Sequence, residues 1–381
     1  MLVLRGEDGL ILPDRVVADF DVLIAGAGPA GCATAMSLAD FAPELRVGVA
    51  DAGAVGEHRI GETVPPQIEP VLAHLGLREL FLRGGHCPSY RTMASWGRGR
   101  LGTNEFLLHA HQTGWRLDRA AFDGMLVDAA SARAACFLKA NAKALVQGPE
   151  GWRLSLSDGT EHRARFVVDA TGNPATLARQ CGLARTNIDR LVGCSLRVGS
   201  RSDGTEGLMI ESFPEGWWYT SAVPRGGRVV VCMTDADHAR SLRLSRVDRF
   251  TELLSRTSHV RRVVEIGQAP GRPTIAPASS RLIAIDPALP LLCVGDAGSR
   301  YDPVSGQGIV KALRSGIFAS YAIADWLCRR DQRGLARYRL MLNHEFAAYR
   351  ETLQQFYALE QRWPANPFWH RRHGGLISLG E

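Results

Sequence analysis

The chain has 381 residues, 45% hydrophobic and 22% charged, values close to globular averages that exclude a disordered or fibrous protein. Of its 45 basic residues only Lys139, Lys143 and Lys311 are lysines, and the formal net charge is +6. With no basic arm, and no Arg run longer than a pair such as Arg371-Arg372 near Arg362, the bias reads as genome composition and predicts no nucleic-acid partner. No apolar run approaches the ~20 residues that span a bilayer. Met1–Ala18 carries Glu7, Asp8, Asp14 and Arg15 where a signal peptide needs an apolar core, so a cytoplasmic protein without a membrane span is expected. The eight cysteines show neither a CxxC pair nor metal-ligand spacing, which predicts buried thiols and no metal site.

Asp21-Val-Leu-Ile-Ala25 is an apolar strand that runs into Gly26-Ala-Gly28-Pro-Ala30-Gly31 and then a helix of small residues. A second apolar run, Leu45 to Ala50, ends in Asp51. Together they form a βαβ unit with the fingerprint of dinucleotide binding. Gly26 permits the tight turn, Gly28 lets a pyrophosphate approach, Gly31 lets helix and strand pack, and Asp51 can accept from ribose hydroxyls. Two further strand-to-glycine elements follow: Arg165 to Gly172, and Leu291 to Asp296 with the loop Asp302 to Gly308 and an apolar helix from Ile309 to about Leu327. Their separation predicts one nucleotide-binding domain interrupted by insertions. The insertions, roughly 85–112 and 185–275, read as an antiparallel sheet, as do Val229-Val-Val-Cys-Met233 and Arg153-Leu-Ser-Leu-Ser157. Residues 335–360 have helical periodicity, followed by a tail with two tryptophans, Trp363 and Trp369.

These three elements resemble the flavoproteins of the two-domain aromatic-hydroxylase type, which carry an N-terminal GxGxxG, a middle Asp-Ala-Thr-Gly and a late Gly-Asp with Pro-x-x-Gly-x-Gly. Here they stand as Gly26–Gly31, Asp169–Gly172, and Gly295-Asp296 with Pro303–Gly308. The resemblance implies an α/β fold: a Rossmann-like FAD-binding domain (1–84, 113–184, 276–330), an inserted antiparallel β-sheet substrate domain (85–112, 185–275) and a helical C-terminal region (331–381). It implies FAD, with Asp296 at the ribitol chain, Gly306, Gln307, Gly308 and Ile309 beneath the isoalloxazine, and Gly172 and Arg119 on the flavin side.

Ile60-Gly-Glu-Thr-Val-Pro-Pro66 and Gly216-Trp-Trp-Tyr219 are also similar to the flavin-dependent tryptophan halogenases. That branch needs a lysine shortly after Gly-Glu and a glutamate in the late loop. Residues 1–138 contain no lysine and Ser305 stands at the glutamate position, so halogenation is not supported. The chain more closely resembles the flavoproteins that mature tryptophan-derived quinone cofactors. The matching segments are Gly61–Pro66, Gly114–Arg119, Gly216–Tyr219, Asp302–Gly308 and the tail Glu360–Pro364 with Phe368–Arg372.

This resemblance implies a monooxygenase that hydroxylates a tryptophan of a partner precursor polypeptide. Its electrons would come from reduced nicotinamide or a flavin reductase. The alternatives are a hydroxylase or reductase of a small aromatic or polyprenyl molecule, and a flavin-stabilised chaperone. An indole attacking an electrophilic oxygen needs an apolar, aromatic pocket and a base for the ring proton. Trp217, Tyr219 and Ser305 are the expected substrate-side residues, with Trp218 on the opposite strand face. Glu62 and Asp302 are the expected carboxylates, while His109 and His111, on a predicted strand and facing one side, are candidate proton acceptors. Trp363, Phe368 and Trp369, beside Arg371 and Arg372, are expected to be exposed as a partner surface.

Overall fold

The computed structural model describes residues 19–53, 61–106, 111–133, 136–148, 151–201, 207–267 and 271–374. The strand Phe20–Ala25 lies at the centre of a seven-stranded sheet, parallel to Val47–Ala50 on one side and to Glu161–Asp169 on the other. Leu291–Cys293 adds in parallel to the end of Glu161–Asp169. That strand alternates exposed and buried over its first half and is wholly buried over its second, so only its C-terminal half lies between two covering layers. The helix Pro29–Phe41 follows the first strand, and Gly316 in the helix Gly308–Arg329 packs on it, where a Cβ would clash with the Ala30 carbonyl.

The strand Gly151–Leu156, whose alternation resembles that of the insertions but which falls in the span 113–184 given to the FAD-binding domain, lies in this first sheet, antiparallel to Glu161–Asp169. The connecting turn explains it. Asp158 accepts from the Thr160 amide at 3.0 Å and Gly159 takes φ 86°, a tight hairpin that pairs neighbouring strands.

A second, eight-stranded sheet runs in the order Val264–Glu265, Leu191–Ser200, Arg228–Asp235, Gly216–Ala222, Leu208–Phe213, Arg91–Ser95 and Gly102–Glu105, with Thr274–Pro277 also on Leu191–Ser200. Every residue of Arg228–Asp235 is buried, because both faces are covered. Cys194, Trp218, Val230 and Cys232 meet Phe250 and Leu253 of the helix Val247–Ser255. On the other face Leu191, Trp217, Val231 and Met233 meet Leu353, Tyr357, Phe368 and Trp369.

That second contact overturns the expected exposed tail. Phe368 and Trp369 are 0% exposed, and Arg372 is buried with them. The Trp369 indole N–H donates to the Phe213 carbonyl at 2.9 Å, and Arg372 ion-pairs with buried Asp235 at 2.9 Å. Trp363 is partly buried beside Trp369. The physical reason is the sheet itself, whose apolar inner face must be covered. The long helix Arg333–Ala358 and the short one, Pro367–His373, cover it. Among the described residues no helix is long and apolar enough to cross a membrane.

Candidate active site

Three loops at the C-terminal ends of parallel strands meet through backbone contacts that only glycine allows. Gly26 takes φ 109° and a Cβ there would clash with the Ala170 carbonyl, while a Cβ on Gly31 would clash with Gly26. Ala30 packs beneath the third loop, where a Cβ on Gly295 would stand 2.8 Å from its own, so Ala30 shapes the loop junction from below. By contrast Gly28, Gly172, Gly306 and Gly308 have nothing within 4 Å of where a Cβ would stand. Gly172 and Gly306 have φ of 71° and 64°, which other residues adopt at a cost. An open, side-chain-free face above the N-terminal turns of the helices Pro29–Phe41 and Gly308–Arg329 is what a pyrophosphate and a flat ring system require.

Asp51 ends the second strand and already accepts from Ala27 N–H at 2.6 Å and Gly53 N–H at 2.8 Å. A carboxylate oxygen has a second lone pair, so Asp51 fixes the glycine turn and can still accept from a ribose hydroxyl. The Asp296 side chain, 41% exposed, ion-pairs with Lys311 Nζ at 2.9 Å. Gln307 is the helix N-cap residue, and Ile309, in the first turn, is partly buried. The residues present fit FAD.

A second group of side chains lies where the Gly61–Val64 segment meets the strand Gly216–Ala222 of the second sheet. Gly61 takes φ 110°, and its carbonyl accepts from Arg119 Nη1 at 3.3 Å. Arg119 is also held by Asp123 at 3.2 Å, so it braces the Gly61–Val64 segment. Thr63 Oγ1 donates to Ser221 Oγ at 3.1 Å, which seats the segment on Gly216–Ala222. Glu62 Oε2 accepts from the Gly61 amide at 3.1 Å. Burial pushes the Glu62 carboxyl above the usual range, opposed by backbone N–H groups and by Arg119 and Arg197. The Tyr219 phenol is pushed well up by burial and by the Glu62 charge. Strand register puts Tyr219 beside Val231 and Ser195, and Ser221 beside Val229 and Arg197, on one face.

The remaining sequence-predicted residues fall elsewhere. Asp302 is buried: it accepts from the Val304 amide at 2.9 Å and from Tyr357 Oη–H at 2.8 Å. Burial, with Asp189 nearby, raises its carboxyl to about 7. Ser305 Oγ donates back to the Asp302 carbonyl at 2.8 Å. Trp217 shares the Tyr219 face, with ring centroids 5.8 Å apart, but is 1% exposed and donates to Tyr357 Oη at 2.9 Å. It packs behind Tyr219, against the helix that carries Tyr357. Trp218 faces the other side, against Phe250. His111 is an exposed residue in a turn, not on a strand, followed by Gln112 at φ 52°. His109 lies outside the described residues. Among the described residues no three potential metal ligands gather.

Sequence reasoning missed Arg197 and Ser221, which alternation on their strands brings to the Glu62 face. It also missed the buried Lys311–Asp296 pair, whose signal was available: one of only three lysines stands one turn after Gly-x-Gly.

The profile of the FAD binding domain family matches residues 19–341. The chain is 28% identical over 363 residues to the protein named FAD-dependent oxidoreductase LodB of Marinomonas mediterranea, covering 93% of this chain and 97% of that one. It is 26% identical over 334 residues to the digeranylgeranylglycerophospholipid reductase of Methanoculleus marisnigri, covering 82% and 78%. The solved structure of the myxobacterial chondrochloren halogenase CndH superposes with a TM-score of 0.83 at 22% identity, covering 94% of this chain and 86% of that one. That of the peptidyl tryptophan dihydroxylase QhpG gives 0.71 at 24% identity, covering 96% and 81%. At such identities the superpositions establish a shared fold. With a family profile spanning most of its length, the chain belongs to the FAD binding domain family and is an FAD-dependent oxidoreductase.

Proposed function

We propose that this enzyme is a monooxygenase that hydroxylates the indole of a tryptophan side chain in a partner polypeptide, a step towards a quinone cofactor. The observation that carries the reading is half-buried Glu62, on a segment that Thr63 seats against the aromatic strand through Ser221 Oγ at 3.1 Å, near enough to Tyr219 for its charge to push the phenol up. Such a group can take a proton from carbon in a dry aromatic site. The solved QhpG structure, described as a peptidyl tryptophan dihydroxylase essential for tryptophylquinone cofactor biogenesis, supports the substrate class.

Bound FAD, once reduced, supplies two electrons with which O2 yields one oxygen atom to the ring and one to water. The chain's own residues do the rest. Gly26, Gly28, Gly31, Asp51, Gly172, Asp296 and the Gly306–Ile309 loop would hold the cofactor. Tyr219, Ser195 and Val231 lie side by side on one face of the second sheet and would exclude water from the substrate. Glu62 would accept the hydrogen that leaves the hydroxylated ring carbon as a proton. Its raised affinity for protons makes it a stronger base than a solvated glutamate. Arg119 and Arg197 oppose that rise. Electrons would come from reduced nicotinamide or a flavin reductase.

The archaeal lipid reductases similar to this chain favour one alternative, reduction of a polyprenyl double bond without O2. Reduced enzyme mixed in air with the product of a neighbouring gene, followed by mass spectrometry of its tryptophan peptides, separates the two. Oxygen gained on one tryptophan supports hydroxylation. Saturation of an alkene under anaerobic conditions, with no change in any partner peptide, would replace it.

A further inference from the structure

The face of the second sheet turned away from Glu62 carries a pocket that neither FAD binding nor the proposed hydroxylation uses. Its floor is apolar: Val192 from the strand Leu191–Ser200, Ala239 from the helix Ala236–Ser241, and Ile275, 42% exposed, from the strand Thr274–Pro277. Three arginines stand around it: Arg240 in the last turn of that helix, and Arg243 and Arg246 on the turn that leads to Val247–Ser255. The space measures about 500 Å³, within the range of specific binding sites. Among the described residues Thr274–Pro277 pairs with Leu191–Ser200 alone, so one rim of the pocket is an open sheet edge.

The nearby acids do not neutralise these arginines. Arg246 pairs with Asp248 at 3.0 Å. Asp237, one turn before Arg240 on the same helix, is taken by Arg371 at 2.6 Å. No carboxylate lines the pocket among the described residues. Arg240 and Arg243 are exposed and, among the described residues, have no ion-pair partner. The backbone supplies a second observation. Leu244 N–H donates to the Ala239 carbonyl and Arg243 N–H to the Arg240 carbonyl, so Arg243 closes the helix from the left-handed region at φ 55°. Glycine takes that position at least cost, and the chain has 40 glycines. An arginine held there sets a guanidinium at the pocket despite backbone strain.

We propose that this pocket docks an acidic, extended segment of the partner polypeptide, with carboxylates on Arg240 and Arg243 and an aliphatic side chain on Val192 and Ile275. The inference rests on the partner reading above and names the chemistry by which that partner is held. Guanidinium groups bind carboxylates through paired hydrogen bonds, and the apolar floor between them takes a neighbouring aliphatic residue. The distance to the reaction site suits one continuous chain. Val192 and Arg197 share a strand, Val192 on the Phe250 side and Arg197 close enough to Glu62 to act on its charge. At a rise of ~3.3 Å per residue they stand about 17 Å apart along it. An extended chain rounding the open edge covers that distance and the thickness of the sheet in about ten residues. A segment docked on one face therefore leaves a tryptophan within reach of Glu62 on the other.

The test uses FAD-loaded full-length protein and a fluorescein-labelled decapeptide of Glu, Ser and Leu, with a counterpart carrying Gln for each Glu, read by fluorescence anisotropy. The Glu peptide is expected to bind and to weaken with salt, and the Gln peptide to bind far less. R240E/R243E should weaken the Glu peptide roughly tenfold or more at unchanged FAD content, and R240K/R243K should keep most of the affinity. R243G, which relieves the left-handed backbone, should hold or raise the thermal midpoint and still weaken the peptide severalfold. Equal affinity in wild type and R240E/R243E, or equal binding of the Glu and Gln peptides, would overturn the proposal. So would displacement of the peptide by inorganic phosphate at matching concentration, which reassigns the pocket to a small anion, or tighter binding of an oligonucleotide of equal length. The reaction is judged apart. If the peptide binds through the arginines while no partner tryptophan gains oxygen, docking stands and hydroxylation falls. If tryptophan gains oxygen with the same KM in R240E/R243E, hydroxylation stands and docking falls.

Discussion

The glycine-lined face of the first sheet and the inner face of the second are built by opposite means. At the first, the backbone does the work: Gly28, Gly172, Gly306 and Gly308 leave open space, and Gly26 and Gly31 are where they are because a side chain would clash. At the second, side chains do it. Trp217, Tyr357 and Trp369 fill the space behind Tyr219, and Glu62 reaches it from another part of the chain. A cofactor site made of backbone tolerates change in most side chains and none at a few glycines, whereas a cleft made of packed side chains degrades by increments.

The sharpest way to break this comparison is inside the first glycine motif. G31V places a branched side chain against the Gly26 carbonyl, and no folded FAD-bound protein should be recovered. G28A adds a methyl group to open space, so the thermal midpoint of the apoprotein should hold while FAD retention in gel filtration falls. If both variants behave alike, the division between packing glycines and cofactor glycines is wrong.

In the second region, W369A removes a fully buried indole and its bond to the Phe213 carbonyl. It should cost about 3–5 kcal/mol in denaturant unfolding, with FAD stoichiometry unchanged. A loss near zero would return the tail to the solvent, where the sequence had put it.

The smallest effect is conditional on pH. Asp302 titrates at about 7 in the folded protein against an ordinary value of 3.8, so the fold favours its protonated form. That contribution is full at pH below about 4 and is lost as pH rises through 7. D302N, neutral throughout, should therefore gain stability relative to wild type between pH 5 and pH 8. The expected gain is on the order of 2–4 kcal/mol, read as the difference in thermal midpoints. A constant difference across that range would contradict the buried acid.

The same contrast explains what could be read from sequence. The nucleotide domain was legible because its signals are local: a strand, a glycine turn and an acid at Asp51 define their own geometry. The Glu62 group was half legible, since Glu62 and Tyr219 lie on recognisable segments but Arg197 and Ser221 join them only through register. Asp302 was legible only as a carboxylate on a glycine-rich loop, and nothing nearby in sequence announces Tyr357 as its donor. The tail misled for a related reason. Its aromatic and arginine content fits an interface, yet the apolar run Val229–Met233 already implied a strand covered on both faces, and the tail is the cover.

The most direct test of the account is oxygen insertion by wild-type enzyme and E62Q under isotopically labelled dioxygen, with bound FAD quantified in both. The account predicts that label enters one tryptophan of the partner polypeptide and that E62Q, with full FAD content, inserts it roughly 10²–10⁴-fold more slowly. It also predicts that the acid limb of the wild-type pH profile, lying above the ordinary glutamate range, disappears in the variant. Labelled tryptophan at equal rates from both enzymes would contradict the role of Glu62, and label found only in free indoles or phenols would contradict the function itself.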